Sequence, residues 1–287
     1  MTGAQLDLPF FKKEIFHEFH PRIYGGSGNK AYINEQKDFV AIYPTPRVDY
    51  SHYVLRSEVL GLKNPKTTED YLENRAKKTI SFLDKKNHKE LSLLEVGASD
   101  GACLDLISRH LPKADCAGVE PSKPHRDLAE KRGLKVYEKI EDLNEKKFDV
   151  ICMYHTFEHF LDPVKEMKKI SRALLEGGVF IIEIPSLTEP LISLYGLDAF
   201  KDFYFQVQHP FVYSPSSLSR LLNGMGYKNI KFSPFQRYGL ANHMNWLKNN
   251  KPGVMQDIQQ QFNSVDSQYK SRLEELGLTD TLFACFN

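Results

Sequence analysis

The middle of the chain alternates between short apolar runs and longer amphipathic stretches. Runs at 92–96, 116–120, 134–137, 148–154 and 178–184 have the length and composition of strands. Between them, 102–110, 123–132, 157–162 and 163–175 repeat their apolar positions at helical spacing. This alternation predicts an α/β fold with a parallel, doubly wound sheet and helices on both faces. Ligands of such sheets bind beyond the carboxyl ends of the strands, near the switch point. The expected lining is therefore 95–101, 120–122, 137–141, 154–159 and 185–186.

The flanks read differently. Residues 22–45 suit irregular or hairpin structure, with a turn at Gly25–Asn29 and a strand at 38–43 that Pro44 and Pro46 end. Tyr71, Ala76, Ile80 and Leu83 mark one face of a helix over 68–83. Past residue 186 the alternation lapses into an aromatic-rich stretch at 190–213, a capped helix at 216–225 and a strand at 227–232. A polar-aromatic stretch at 235–246, a Gln-rich helix at 254–275 and a last strand at 281–286 follow. The expected division is an N-terminal extension or lid over 1–67 and one Rossmann-like domain over 68–287, with acceptor-binding segments at about 187–253. Tyr43, Tyr50 and Tyr53 suit a lid over a cofactor and buried packing equally well.

Charge narrows the function. Formal net charge is +1 with acids and bases interspersed, so neither a nucleic-acid groove nor a polybasic membrane patch is expected. The four cysteines lie far apart in apolar contexts, which predicts buried free thiols. No signal-type apolar core or membrane-length apolar run is present, and a cytoplasmic protein, monomer or homodimer, is expected.

The chemistry starts at Leu94-Glu95-Val96-Gly97-Ala98-Ser99-Asp100-Gly101. Gly97 and Gly101 suit a tight turn in which a backbone passes close beneath a nucleotide-like ligand. Glu95, just ahead of the turn, would repel a pyrophosphate but suits a ligand with an ammonium group. Glu120 ends the next strand, followed by Pro121, and is placed to accept ribose hydroxyls. This favours S-adenosylmethionine over a nicotinamide dinucleotide.

Five stretches in order resemble the class I S-adenosylmethionine-dependent methyltransferases, in the small-molecule subgroup of ubiquinone-type and sugar methyltransferases. They are 94–101, Gly118–Ser122, Phe148–Ile151 with His155–His159, Asp162-Pro163 and Leu174–Gly178. The resemblance implies a seven-stranded sheet with an antiparallel last strand, and S-adenosylhomocysteine as product. It implies methionine contacts from Glu95, Gly97, Ser99 and Gly101, ribose contacts from Glu120, and adenine beside Ile140 and Glu141. Ser99 stands where the family more often has glycine.

His155 follows a strand and should face the sulfonium and the acceptor. A second cluster holds Gln208, His209 and Tyr213, then Arg237, Tyr238, Asn242 and His243. Its first part resembles sugar C-methyltransferases in which a Glu-His pair does acid–base work, with His209 matching and Gln208 replacing the glutamate. Carbanion formation needs a base, so this replacement favours oxygen as acceptor, with His209 or His155 taking the hydroxyl proton. Arg237 suits phosphate or carboxylate, and Tyr238, Asn242 and His243 suit hydroxyls. The expected reaction is O-methylation of a small sugar-containing or nucleotide-linked acceptor of a bacterial surface-polysaccharide pathway. C-methylation, an oxidoreductase and a non-catalytic binding module are the alternatives. No metal-ligand spacing is evident, and none is expected.

Overall fold

The computed structural model describes residues 3–47, 65–83 and 91–287. Tyr50 and Tyr53 lie outside them. In chain order the strands are β1 (Phe16–His20), β2 (Lys30–Asn34), β3 (Phe39–Tyr43), β4 (Ser92–Val96), β5 (Asp115–Val119), β6 (Lys135–Tyr137), β7 (Phe148–Tyr154), β8 (Leu174–Pro185), β9 (Phe211–Tyr213), β10 (Lys231–Phe235) and β11 (Thr281–Phe286). The α-helices are α1 (Pro65–Ser81), α2 (Ala102–His110), α3 (Lys123–Lys131), α4 (Pro163–Ile170), α5 (Pro190–Ser193), α6 (Asp198–Tyr204), α7 (Pro215–Gly224), α8 (Leu240–Asn249) and α9 (Gln256–Glu275).

Seven strands form one sheet in the order β10-β11-β8-β7-β4-β5-β6, with β11 antiparallel to both neighbours and the β8-to-β6 run parallel. Central strands are largely apolar because both faces are covered, with Glu95 on β4 and Glu183 on β8 as buried exceptions. Alternate residues go to opposite cores: Leu94, Ile151 and Ile182 pack with α4 and α7, and Leu93, Val150 and Ile181 pack with α1 and α2. All four cysteines are free thiols, and Cys103, Cys152 and Cys285 are buried. Among the described residues no helix is long and apolar enough to cross a membrane.

Several elements depart from the sequence pattern: the strand expected at 227–232 is β10 at Lys231–Phe235, and the helix expected at 157–162 is a 3-10 turn over Phe157–His159. The helix expected to 175 stops at Ile170, and β8 starts at Leu174. Between its pairings Phe148↔Leu174 and Val150↔Val179 the strand bulges, with Gly177 at φ +79°. The stretch 235–246 is the end of β10 followed by α8, where Asn245 and Trp246 are buried together.

A second, antiparallel sheet has the order β1-β2-β3-β9, so residues 3–47 pair with a strand far along the chain. Its aromatic side chains join the first core: Phe39 packs on Tyr213 at 5.4 Å, and Tyr213 on Phe157 at 5.7 Å between ring centres. Tyr43, on β3, is half-buried beside Tyr32.

Candidate active site

The turn after β4 is built by its neighbours. The N–H groups of Gly97 and Ala98 both donate to the Val119 carbonyl, at 2.8 and 3.0 Å, which fastens the turn to β5. Ser99 is held left-handed at φ +50°, and its N–H donates to Glu120 Oε2 at 2.8 Å. Glu120 Oε1 accepts the Ser122 N–H at 2.8 Å. One buried carboxylate thus ties two strand-end loops together while each oxygen keeps a second lone pair.

The glycines answer to more than a ligand. Gly97 has φ +79°, and a Cβ there would sit 2.3 Å from Thr156 Oγ1, on the segment leaving β7. Gly101 has φ +75°, and its Cβ would meet Leu134 Cδ1 at 2.5 Å and Ala129 Cβ at 2.9 Å. The first position brings the turn against the β7 end, and the second lets α3 pack close.

Glu95 is buried, and its Oε2 has no hydrogen-bond partner among the described residues. Burial pushes its carboxyl up to about 8, with Asp100, Glu120 and Glu183 acting in the same direction against Arg75. Arg75 is the cation that acts on this carboxyl, and a further cationic partner would favour its ionised form. The Pro121 carbonyl accepts from Arg126, Ile140 opens a 3-10 turn beyond β6, and Glu141 pairs at the surface with Lys169 at 2.8 Å.

Beyond the ends of β7 and β8 lies a dense charged network. His155, left-handed at φ +50°, meets Glu158 Oε1 through Nδ1 at 3.0 Å and Tyr71 Oη through Nε2 at 2.9 Å. Arg237 Nη1 lies 3.2 Å from the same Nε2. Glu183, fully buried on β8, accepts from Tyr71 and from Arg75. Arg237 in turn pairs with Asp280, its backbone N–H at 3.1 Å from Oδ1 and its Nε at 3.2 Å from Oδ2. Burial works against the His155 charge, but Glu183 and Glu158 outweigh it and raise the imidazole pKa above 6.5. Glu183 is penalised by burial, yet Arg75 and His155 hold it well below the carboxylate range.

Of the acceptor-side candidates, Arg237 and Tyr238 lie with His155; the exposed Tyr238 ring sits 5.3 Å from the Arg237 guanidinium. His209 lies by Glu158 and His159, its ring 4.9 Å from that of His159 and 3.0 Å from the Gln206 amide. The Gln208 carbonyl accepts from His159 Nδ1 at 2.7 Å. Tyr213 is buried within β9 and its Oη has no partner among the described residues. Asn242 and His243 are engaged with other partners. Asn242 donates to the Gly253 carbonyl at 2.9 Å, and His243 meets Tyr269 Oη at 2.6 Å in a site whose burial lowers its pKa to about 4. They fasten α8 to its surroundings.

Sequence reading missed Tyr71, Arg75, Glu183 and Asp280. Two signals were present: an arginine one helical turn from Tyr71 on the apolar stripe, and a lone acid in the run Val179-Phe180-Ile181-Ile182-Glu183-Ile184. Nothing in the sequence around Asp280 marks it.

A methyltransferase-domain family model matches residues 69–231, more than half of the chain, and the protein belongs to that family. No curated protein matches the chain. Among solved structures it is similar to the Haemonchus contortus phosphoethanolamine N-methyltransferase 2 in complex with S-adenosyl-L-methionine. That match has 14% identity over 86% of this chain and 61% of that one, with TM-score 0.52. It is also similar to an Archaeoglobus fulgidus S-adenosylmethionine-dependent methyltransferase (17% identity, 76% and 93% coverage, TM-score 0.50). A third is the plantazolicin methyltransferase BpumL with a triazolic desmethyl analogue and S-adenosylhomocysteine (18% identity, 80% and 88% coverage, TM-score 0.50). At these identities the likeness is one of fold. The protein is an S-adenosylmethionine-dependent methyltransferase.

Proposed function

We propose that the protein methylates a hydroxyl oxygen of a small polar acceptor, sugar-containing or phosphorylated, such as a nucleotide-linked precursor of a surface polysaccharide. The observation that carries this reading is the meeting of His155 and Arg237 at 3.2 Å beside the turn that Thr156 presses against. When bound, S-adenosylmethionine supplies a methyl group on a cationic sulfur. Glu95, the 97–101 turn and Glu120 would hold it, with Ile140 on the adenine side.

His155 Nε2 takes the proton that leaves the acceptor hydroxyl. Its Nδ1–H stays on Glu158, and the neighbouring carboxylates of Glu158 and Glu183 stabilise the imidazolium that forms. Arg237 binds an anionic group of the acceptor, and Tyr238 covers it. Gln208 offers no basicity for removing a carbon-bound proton, which leaves C-methylation as the second reading. The N-methyltransferase and the plantazolicin enzyme among the similar structures set no acceptor for this chain.

The test is transfer of a labelled methyl group to a panel of sugars, sugar nucleotides and phosphorylated alcohols, with NMR of the product. A methyl ether supports the proposal, and a C–CH₃ product overturns the oxygen assignment. His155→Gln should lower kcat by about 10²–10⁴-fold while leaving S-adenosylhomocysteine binding within a fewfold. Since the neutral imidazole is the active form, kcat/KM should rise with pH through a value above 6.5. A flat acid limb, or an unimpaired variant, removes His155 from the chemistry.

A further inference from the structure

Glu158, whose Oε1 faces His155, lies together with His159 and His209, each offering one ligand atom within 4.8 Å of the others. Glu158 and His159 belong to the 3-10 turn Phe157–His159 after β7, and His209 precedes β9. We propose that these three side chains form a binding site for one divalent transition-metal ion, of the Mn²⁺, Co²⁺ or Zn²⁺ class, next to His155.

Two observations and the chemistry of the donor set support it. Glu158 is 2% exposed, and its Oε2 is buried with no hydrogen-bond partner among the described residues. A carboxylate oxygen in that state is costly unless a cation or donor reaches it. His159 Nδ1 lies 2.7 Å from the Gln208 carbonyl, which only accepts, so a proton sits on Nδ1 and Nε2 is the nitrogen that would ligate. A second-sphere carbonyl fixing the tautomer of a ligating histidine is the usual companion of a metal site. The donor set, two imidazoles and one carboxylate, suits borderline first-row ions and leaves coordination positions for oxygen.

Metal–ligand bonds of about 2.0–2.2 Å bring such atoms to roughly 3–3.5 Å of one another, so closure requires movements of about 1 Å. Side-chain rotation supplies that. The other oxygen of Glu158 remains on His155 Nδ1 at 3.0 Å, so one carboxylate touches both the ion and the proposed base. Acceptor oxygens, a hydroxyl or a phosphate, would fill the remaining positions.

The site stands or falls on metal binding alone and is separate from the choice of acceptor. The test uses the tag-free full-length protein, stripped by chelator and titrated with Co²⁺. One equivalent should bind with a visible ligand-field band, and the NMR spectrum should contain two paramagnetically shifted imidazole N–H signals. His159→Asn and His209→Asn should each weaken binding by more than the roughly 10–100-fold that loss of an outer hydrogen bond costs. Their circular dichroism and S-adenosylhomocysteine affinity should stay unchanged. The proposal is overturned if no stoichiometric Co²⁺ binds, if binding survives His209→Asn, or if the bound ion shows no shifted imidazole N–H. The N–H readout needs no variant, so misfolding of a substituted chain does not blunt the test.

Discussion

At the scale of single residues, Glu95 is the buried acid on which the proposed cofactor contact turns. Its folded pKa of about 8 against an ordinary 4.5 means that ionising it opposes folding. The stability it contributes is therefore full below about 4.5 and is lost as pH rises through about 8. A bound ammonium reverses the sign by favouring the carboxylate. S-adenosylhomocysteine should then bind more tightly, and raise Tm further, at about pH 8 than at about pH 6. Calorimetry in two buffers of different ionisation enthalpy should detect release of a proton near pH 7; no buffer dependence would dismiss the role. Arg75 is coupled to this site through Glu183. Arg75→Ala strands a buried carboxylate and should cost about 3–5 kcal/mol, whereas the Arg75→Met, Glu183→Gln pair should recover part of it in thermal melts.

At the scale of elements, the turn 97–101 separates two kinds of glycine requirement. Gly97→Ala and Gly101→Ala each add a Cβ at positive φ against a neighbour closer than 3 Å, and each should cost about 1–3 kcal/mol. Ser99→Gly relieves a left-handed residue but loosens the unfolded chain, so its stability should stay within about 1 kcal/mol of wild type. Equal losses for all three in denaturant melts would contradict this distinction. The strands of the large sheet are legible in sequence because they are buried on both faces; β4, β7 and β11 keep their expected limits. Helix α8 is not, because it buries polar side chains: His243 meets Tyr269 on another helix, and Asn245 donates to the Lys251 carbonyl just past the helix end. The cofactor turn could be read locally, whereas the acceptor side could not: Tyr71, His155, Glu183, Arg237 and Asp280 come from five separate places in the chain.

At the scale of the molecule, the two sheets share a core. The same apolar cluster contains Phe39 and Phe211 from the small sheet and Leu94 and Ile182 from the large one. Phe39→Ala should cost about 3–5 kcal/mol and lower Tm without splitting the transition. Far-UV and near-UV melts that fail to coincide would mean the sheets unfold separately. This union is invisible to local pattern, since β9 has three residues and its partner β3 lies at the other end of the chain.

That pairing also sets an order of events during synthesis. Hairpin β2–β3 emerges early, but the edge of β3 that Phe211–Tyr213 covers stays open until residue 213 has left the ribosome. Through that interval a strand edge and the aromatic surface of Phe10 and Phe39 lack their native cover. The nascent chain is thus most open to holding chaperones and to misassociation while the large sheet's own strands are being made, and a stalled chain ending near residue 200 should be captured more readily than the finished one.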